Sequence, residues 1–248
     1  MRDQYLQAMG ITRWVRREPD PVAVVPQIED TPIQIEPVAE PLEQAMELSA
    51  VQTPDSHNVD GLGWSELETT VSICKACDLY STRTQTVFGS GDNNADWLII
   101  GEAPGADEES EGQPFVGPAG QLLTSMIEAM GMTREQVYIA NILKCRPPQN
   151  RDPDAEEVMA CQSYLRRQIE LLQPKMILAV GRVAAQNLLN TDDTMKAMRG
   201  QAYTYADTQI PLVVTYHPAY LLRSPLEKRK AWQDLQMAMR IFDGEALQ

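Results

Sequence analysis

The sequence lacks any long hydrophobic run and any segment typical of secretion. No apolar stretch approaches the roughly 18 residues that a membrane-spanning helix needs. Residues 1–20 have no uninterrupted apolar core of the kind a signal peptide carries. We therefore expect a cytoplasmic protein that does not cross a membrane. The chain also contains no internal repeat, so we do not expect an array of repeated units.

Lysine, arginine, phenylalanine, tryptophan and tyrosine are all absent from residues 20–60, which hold nine acidic residues and six prolines. Such a composition cannot bury enough apolar surface to form a core and is typical of an extended, solvated chain. We expect residues 20–64 to be an acidic linker with little order, apart from a helical turn near Leu42 to Leu48. The linker carries most of the net charge of −14, so the rest of the chain is less acidic than that total suggests.

The basic residues of the main domain gather in two groups, Lys144/Arg146/Arg151 and Arg223/Lys228/Arg229/Lys230. Clustered Lys and Arg side chains can form a track for DNA phosphates. The second group is equally well interpreted as the solvated face of a helix. The sequence leaves both interpretations open.

Cysteine is scarce, with four residues in the whole chain: Cys74, Cys77, Cys145 and Cys161. The first two form a CxxC pair whose sulfurs can reach one metal, whereas 15 residues separate the last two. A zinc ribbon would normally offer a second CxxC. Four thiolates suit zinc or a [4Fe-4S] cluster, and free buried thiols are the alternative. Disulfides are not expected in a cytoplasmic protein.

From Ser65 onward, the hydrophobic pattern alternates between strands and helices. Short apolar runs predict strands at 97–100, 137–140, 176–180 and 212–215. Helical spacing predicts helices at about 119–130, 154–172, 182–189 and 226–242. This order predicts a three-layer α/β/α domain over residues 65–245, with a mostly parallel sheet covered by helices on both faces. Ligands bind at the carboxyl ends of such strands, where the loop within residues 96–120 begins.

Five motifs occur in order along this domain: GEAPG at 101–105, an acidic run ending in Glu108 and Glu109, GQPFVGPAGQLL at 112–123, YIANILKCRPPQNR at 138–151, and HPAYLLR at 217–223. Together with the cysteines they resemble the family 4 uracil-DNA glycosylases over about residues 66–242. The resemblance implies the uracil-DNA glycosylase fold and the removal of uracil from DNA in base excision repair. It also implies that the four cysteines hold a structural [4Fe-4S] cluster, which takes no redox part in the reaction.

Three residues are candidates for holding the uracil base. Uracil removal breaks the bond between the base and C1′ while negative charge flows into the base. His217 follows a predicted strand directly, so it can direct a donor at the base oxygen where that charge collects. Asn141 ends another strand, and its amide can offer a donor and an acceptor to the edge of uracil. By resemblance, Phe115 stacks on the flipped base.

The acidic loop contributes two candidate carboxylates, Glu102 and Glu108. Either can position the attacking water or obstruct the 5-methyl group of thymine, and the sequence does not separate these roles. Other branches of the superfamily have an Asp at the position of Ala103, so here the water must be held differently, and Asn150 is the candidate. Gly101 and Ala103 are further positions expected to contact the base.

Two leucines follow the histidine of the last motif. Leu221 or Leu222, together with Arg223, is expected to fill the gap that the flipped nucleotide leaves in the DNA. The same leucines can instead form the first turn of the final helix. Because there is no sign of a lysine nucleophile, we expect simple hydrolysis without strand cleavage.

Residues 1–19 form an amphipathic segment too short to fold alone. Its string RDQYLQAMGITRWVRREP resembles the N-terminal peptide of the psi subunit of the bacterial DNA polymerase III clamp loader, which implies binding to clamp-loader subunits. The linker would then tether a monomeric glycosylase to the replisome. Two alternatives are a non-catalytic clamp-loader subunit with a glycosylase-like body and a general nucleic-acid binder without preference for uracil.

Overall fold

The computed structural model describes residues 59–244. The predicted N-terminal peptide, the linker up to residue 58 and the turn near Leu42 to Leu48 lie outside the described residues. The α-helices are α1 (Trp64–Ser72), α2 (Ala106–Glu111), α3 (Pro118–Ala129), α4 (Ala155–Leu172), α5 (Arg182–Leu189), α6 (Met195–Met198), α7 (Pro218–Arg223) and α8 (Lys228–Phe242). The strands are β1 (Ser90–Gly91), β2 (Trp97–Gly101), β3 (Tyr138–Asn141), β4 (Met176–Val180), β5 (Ala202–Thr204) and β6 (Pro211–Thr215). Short 3₁₀ turns lie at Asp78–Ser81, Arg134–Gln136, Pro148–Asn150 and Pro225–Glu227.

The strands form one sheet in the order β1-β3-β2-β4-β6-β5. Strands β3, β2, β4 and β6 are mutually parallel, and the edge strands β1 and β5 pair antiparallel to their neighbours. The sheet is therefore mostly parallel, as predicted. Because parallel strands end at the same edge, the loops after Gly101, Asn141 and Thr215 meet on one side of the molecule.

Helices cover both faces of the sheet. Successive side chains of a strand point to opposite faces, and β2 divides accordingly between two buried clusters. Leu98 and Ile100 pack with residues of α4 and α5, whereas Trp97 and Ile99 pack with residues of α3 and α8. These two clusters confirm the predicted three-layer α/β/α architecture.

The four predicted strands and four predicted helices lie within two residues of the observed bounds. Helix α2 is not predicted by the sequence, because ADEESE is almost wholly acidic and buries only Glu109, so no apolar period marks it. The edge strands β1 and β5 are not predicted either, because they have only two and three residues. Their existence depends on pairing with β3 and β6 rather than on their own sequence.

A third buried cluster lies between α1 and α4 and contains Cys145 and Cys161. Val59 and Leu67 belong to it, with 1% and 0% of their surfaces exposed. Packing therefore begins ahead of the predicted domain boundary at residue 65. No helix among residues 59–244 is long and apolar enough to cross a membrane.

Candidate active site

A cleft of about 540 Å³ opens at the carboxyl ends of the parallel strands. Its walls are the loop after β2, the start of α3, the turn after β3, and helix α7. Most of the predicted site residues line it: Glu102, Ala103, Glu108, Phe115, Asn141, Asn150, His217 and Arg223. The sheet thus brings together side chains that are more than a hundred positions apart in the sequence.

Asn141 is the last residue of β3, and only 2% of its surface is exposed. Its Oδ1 has no hydrogen-bond partner among the described residues. Buried polar atoms are nearly always paired, so an unpaired acceptor in a cleft marks a place where a ligand donor belongs. Gly101 lies behind this side chain: a Cβ on Gly101 would be 2.5 Å from Asn141 Oδ1 and 2.5 Å from Cζ of Phe115. Gly101 therefore makes room for the cleft but does not line it.

Phe115 and His217 present two aromatic rings to the cleft. Their ring centroids are 5.5 Å apart, and the ring planes are inclined by 32°. Phe115 has a backbone φ of 54°, in the left-handed region that a phenylalanine seldom adopts. Backbone strain of this kind clusters at functional sites. The buried ring of Phe115 is suited to stacking on a planar ligand.

His217 is a neutral hydrogen-bond donor. It immediately precedes α7, and its Nδ1 accepts a hydrogen bond from the backbone N–H of Ala219 at 3.2 Å. Because Nδ1 accepts, the proton of the neutral imidazole lies on Nε2. Burial, followed by the positive charge of Arg223, lowers the pKa of His217 to about 4, against an opposing effect of Glu108. The ring therefore stays uncharged at neutral pH and donates through Nε2.

The carboxylate of Glu108 is occupied by backbone amides. Its Oε2 accepts from the N–H of Gly105 at 3.0 Å, and its Oε1 accepts from the N–H groups of Val116 and Gly117 at 3.1 and 3.3 Å. The first contact closes the start of α2, and the other two hold the segment directly after Phe115. Glu108 thus ties together the two sides of the loop that forms one wall of the cleft.

Glu102 lies in the same loop but makes no side-chain hydrogen bond within residues 59–244. Burial, aided by the negative charge of Asp152 and opposed by Arg182, raises the pKa of Glu102 to about 7. A carboxyl group that titrates near neutrality inside a cleft is a candidate proton acceptor. The structure therefore distinguishes the surroundings of Glu102 from those of Glu108, which the sequence alone could not do.

Asn150 ends the 3₁₀ turn Pro148–Asn150 and also has a left-handed backbone, with a φ of 54°. Its Oδ1 accepts a hydrogen bond from Nε of Arg146 at 2.7 Å. Arg146 in turn pairs with Glu109 Oε2 at 3.4 Å. This chain of contacts orients the Asn150 amide at the cleft wall.

Leu221 does not meet the cleft or the surface, contrary to its predicted contact with DNA. It is 1% exposed and packs in the core cluster beneath α7, whereas Leu222 is 44% exposed. Of these two leucines, only Leu222 is available to DNA. Both belong to α7 and not to the final helix. Tyr220 lines the cleft and was not singled out from the sequence, although it lies within HPAYLLR.

The first predicted basic group does not form a phosphate track. Lys144 is 1% exposed, and its Nζ donates to the carbonyl oxygen of Asn141 at 3.0 Å and to Oε1 of Gln168 at 2.6 Å. Burial lowers the pKa of Lys144 to about 8. Arg151 donates to both carboxylate oxygens of Glu157. Both cations are engaged within the protein, because one is buried and the other is paired.

The four cysteines line one small apolar cavity. All four are free thiols, and the lining contains no carboxylate and no imidazole. Among residues 59–244, no three His, Cys, Asp or Glu side chains are close enough together to hold a single metal ion. Sulfur alone can be the donor type of zinc sites and of iron–sulfur clusters, but the spacing of these thiols does not fit a single zinc ion.

Hydrogen bonds already reach three of the sulfurs. The backbone N–H of Ala76 donates to Cys74 Sγ at 3.4 Å, Nη1 of Arg83 to Cys145 Sγ at 3.1 Å, and the N–H of Lys144 to Cys161 Sγ at 3.3 Å. Such bonds stabilise thiolates and tune clusters held by them. Burial raises the pKa of Cys161 to about 12, so a metal group binding there must displace a proton.

Comparison with known proteins identifies the family. Residues 88–236 match the family model of the Uracil DNA glycosylase superfamily. A Type-4 uracil-DNA glycosylase of Archaeoglobus fulgidus is 46% identical over 161 residues, which cover 62% of this chain and 81% of that protein. The chain belongs to the type-4 uracil-DNA glycosylases. This confirms the predicted resemblance of the main domain.

Two further type-4 relatives agree. The Type-4 uracil-DNA glycosylase of Sulfurisphaera tokodaii is 44% identical over 162 residues, 62% of this chain and 74% of its own length. That of Pyrobaculum aerophilum is 40% identical over 178 residues, 69% of this chain and 91% of its own length. The cleft and the cysteine cavity of this type-4 chain both lie within the domain formed by residues 59–244.

Proposed function

We propose that this protein is a monofunctional uracil-DNA glycosylase, which hydrolyses the N-glycosidic bond of uracil in DNA. The observation that carries the proposal is the unpaired, buried Oδ1 of Asn141 in a cleft that also presents Phe115 and His217. This acceptor matches the N3–H of uracil. Cytosine has no hydrogen at that position, so it would leave the buried acceptor unpaired and be rejected.

Phe115 and His217 contact other parts of the base: Phe115 its flat face, and His217 one of its oxygens. The Phe115 ring stacks on the face of the extruded base, which compensates for the stacking lost in DNA. His217 donates its Nε2 proton in a hydrogen bond to the base oxygen where negative charge collects. A neutral donor held in place before the reaction stabilises the developing anion more than the uncharged base, so it favours the transition state.

Glu102 and Asn150 are assigned to the attacking water. The Glu102 carboxylate, with its pKa near 7, accepts a proton from that water as it attacks C1′. Asn150 holds the water through its amide. Glu108 is assigned to the shape of the cleft wall, since three backbone amides already engage its carboxylate.

The four cysteines are assigned to a [4Fe-4S] cluster, with Cys74, Cys77, Cys145 and Cys161 as ligands. When bound, the cluster supplies a structural cross-link and no step of the hydrolysis. Held by these cysteines, it would join the chain around α1 to the segment directly after Asn141. Anaerobically purified protein should contain about four iron and four sulfide per chain. Stoichiometric zinc without iron would overturn the assignment.

The chain before the glycosylase domain is assigned to delivery of a monomeric cytoplasmic enzyme. Residues 1–19 would bind clamp-loader subunits, and the linker that follows would raise the local concentration of the enzyme near newly made DNA. A pull-down of clamp-loader subunits should succeed with the full chain and fail after deletion of residues 1–20. Capture that survives the deletion would remove the assignment.

The enzymatic proposal is tested with an oligonucleotide that carries one uracil, followed by alkali to cleave abasic sites. Asn141→Ala and His217→Ala should each lower single-turnover excision roughly 10²–10³-fold. Lys175→Ala is the matched control, because Lys175 is 69% exposed and lies at the opposite edge of the sheet. Absence of excision by wild-type protein with an intact metal group would favour a non-catalytic clamp-loader subunit.

A further inference from the structure

A strip of exposed apolar and basic side chains lies next to the cleft, on α7, the following 3₁₀ turn and the start of α8. The residues of this strip are Tyr220, Leu222, Leu226, Lys228, Arg229 and Trp232. The four apolar members are 36%, 44%, 91% and 38% exposed, in chain order. Single exposed apolar residues are ordinary, but four within 13 positions form a surface that calls for a partner.

The strip is continuous with the cleft. Tyr220 and Arg223 line the cleft themselves, and Leu226 follows Arg223 by three residues, which places it within roughly 10 Å of it along the chain. The turn Pro225–Glu227 packs against both α7 and α8. Leu226 is therefore held on a fixed turn and is the most exposed of the large hydrophobic residues that the structure describes.

The start of α8 presents the cations on the same side as an aromatic ring. Lys228 and Trp232 are four residues apart and Arg229 and Trp232 are three apart, so the three share one face of the helix. Ala231 and Leu235 are buried, and Lys228 lies at the border between the buried and the exposed sides of the helix. Helix α8 is therefore amphipathic, and its connection to the cleft runs through the turn Pro225–Glu227 and α7.

The charges of this surface are available to a ligand. Within residues 59–244, Lys228, Arg229 and Arg223 form no ion pair with a carboxylate, whereas the neighbouring Lys230 is bound to Glu227 at 2.7 Å. Unpaired cations interleaved with aromatic and apolar side chains are the pattern that binds single-stranded nucleic acid, through phosphate contacts and stacking of unpaired bases. An acidic protein partner would satisfy the cations but would not explain the apolar residues between them.

We propose that this strip binds the DNA strand that carries the uracil, on one side of the extruded nucleotide. Leu226 and Trp232 contact bases that are unstacked beside the gap, and Lys228 and Arg229 contact their phosphates. The inference rests on the proposed glycosylase function, since the cleft defines where the strand enters. It replaces the buried Leu221 by Leu226 as the principal apolar contact with DNA.

The test compares excision of uracil from a single-stranded 20-mer and from two truncated oligonucleotides that end at the uracil on its 5′ or its 3′ side, so that one of the two has no flanking base to place on the strip. Leu226→Ala and Trp232→Ala should each lower kcat/KM on the 20-mer roughly five- to tenfold and leave unaffected the truncated oligonucleotide that lacks the flanking base. The double variant Lys228→Ala/Arg229→Ala should bind the 20-mer with a weaker dependence on salt. The slope of log K against the logarithm of the salt concentration should become shallower by about 0.7 for each phosphate that is no longer neutralised. Met159→Ala is the control, because Met159 is 67% exposed and lies on α4, away from the cleft.

The outcomes separate this inference from the function on which it rests. Equal rates for wild type and variants on all three substrates would overturn it, and so would an equal loss on all three, which would indicate a folding defect. No excision by the wild type would instead reject the glycosylase proposal. Binding of the fluorescent 20-mer, measured by anisotropy, tests the strip even then, because it does not depend on catalysis.

Discussion

The ammonium group of Lys144 lies 3.0 Å from the backbone carbonyl oxygen of Asn141, with both residues buried. Lys144 precedes Cys145 in the chain, and its own backbone N–H donates to Cys161 Sγ. A single residue therefore touches the wall of the cysteine cavity and the backbone of the residue assigned to reading the base. The two sites are joined by one turn of chain and not by a long pathway.

Replacing this lysine should loosen Asn141. Lys144→Met fills similar volume but leaves two buried acceptors, the Asn141 carbonyl and Gln168 Oε1, without their donor. Each unpaired acceptor costs roughly 1–3 kcal/mol, so we expect a lower melting temperature and a fall of about tenfold or more in kcat/KM for uracil excision. Lys175→Met serves as the control for loss of charge. Unchanged excision kinetics in the folded variant would show that Lys144 does not position Asn141.

Gly101→Ala should close the base pocket. The added Cβ would meet Asn141 Oδ1 and the Phe115 ring, both at 2.5 Å, so one or both side chains must move. We expect excision to fall by at least about 10²-fold, because the affected atoms are those assigned to base recognition. Gly63→Ala is the matched control, since its backbone φ is −79° and its nearest neighbour would be 3.8 Å away. Wild-type activity in Gly101→Ala would contradict the assigned pocket.

The pH dependence of excision should report Glu102. Its pKa is raised to about 7, so the carboxylate needed to accept a proton forms as pH rises through that value. Single-turnover rates should therefore climb between about pH 6 and 8 and level off above it. His217, with its pKa near 4, stays neutral throughout and causes no change of the excision rate with pH in this range. Glu102→Gln should be slow and flat over the same interval, and a persistent limb in that variant would assign it to another group.

The contribution of Glu102 to the free energy of unfolding should fall as pH rises, whereas the excision rate should rise. A raised carboxyl pKa means that the folded state holds its proton more tightly than the unfolded chain between the ordinary value near 4.5 and about 7. The contribution of Glu102 to folding is therefore present below that window and is lost as pH rises through it. The difference in melting temperature between wild type and Glu102→Gln should change accordingly between about pH 5 and 8.

Asn141→Leu should separate stability from activity. The wild-type residue holds an unpaired buried acceptor, and an apolar side chain of similar size removes that cost, which is roughly 1–3 kcal/mol. We expect the variant to melt no lower than wild type while losing uracil excision. A marked decrease in melting temperature would indicate that Oδ1 is satisfied in solution, for instance by an ordered water.

Much of the site follows from the sequence because the strands could be located. Asn141 and His217 come at or just after strand ends, and parallel strands bring such positions to one edge. Glu102 and Phe115 follow from the loop after β2 and from the family motifs. The four cysteines could be grouped for the same reason, since Cys145 lies just beyond the end of β3.

Side-chain partners and orientation could not be predicted in this way. The hydrogen bonds from the amides of Val116 and Gly117 to Glu108 form because the loop folds back on itself. The spacing of residues in the sequence does not predict this fold of the loop. Which of Leu221 and Leu222 is exposed to DNA depends on the rotation of α7, a helix of six residues, about its own axis. Because lysines are rarely buried, the sequence favours a surface position for Lys144, and only the packing of α4 against β3 explains its actual place.

The placement of the cysteines has a consequence for which part of the domain a bound group stabilises. Cys74 and Cys77 precede β1, whereas Cys145 and Cys161 follow β3, so three strands of the sheet are synthesised between the two pairs. A group held by all four thiols therefore closes the long loop of chain from Cys77 to Cys145. Its binding is coupled to the folding of that part of the sheet. The three strands that follow Cys161 are outside this loop, so loss of the group should loosen the first half of the domain more than the second.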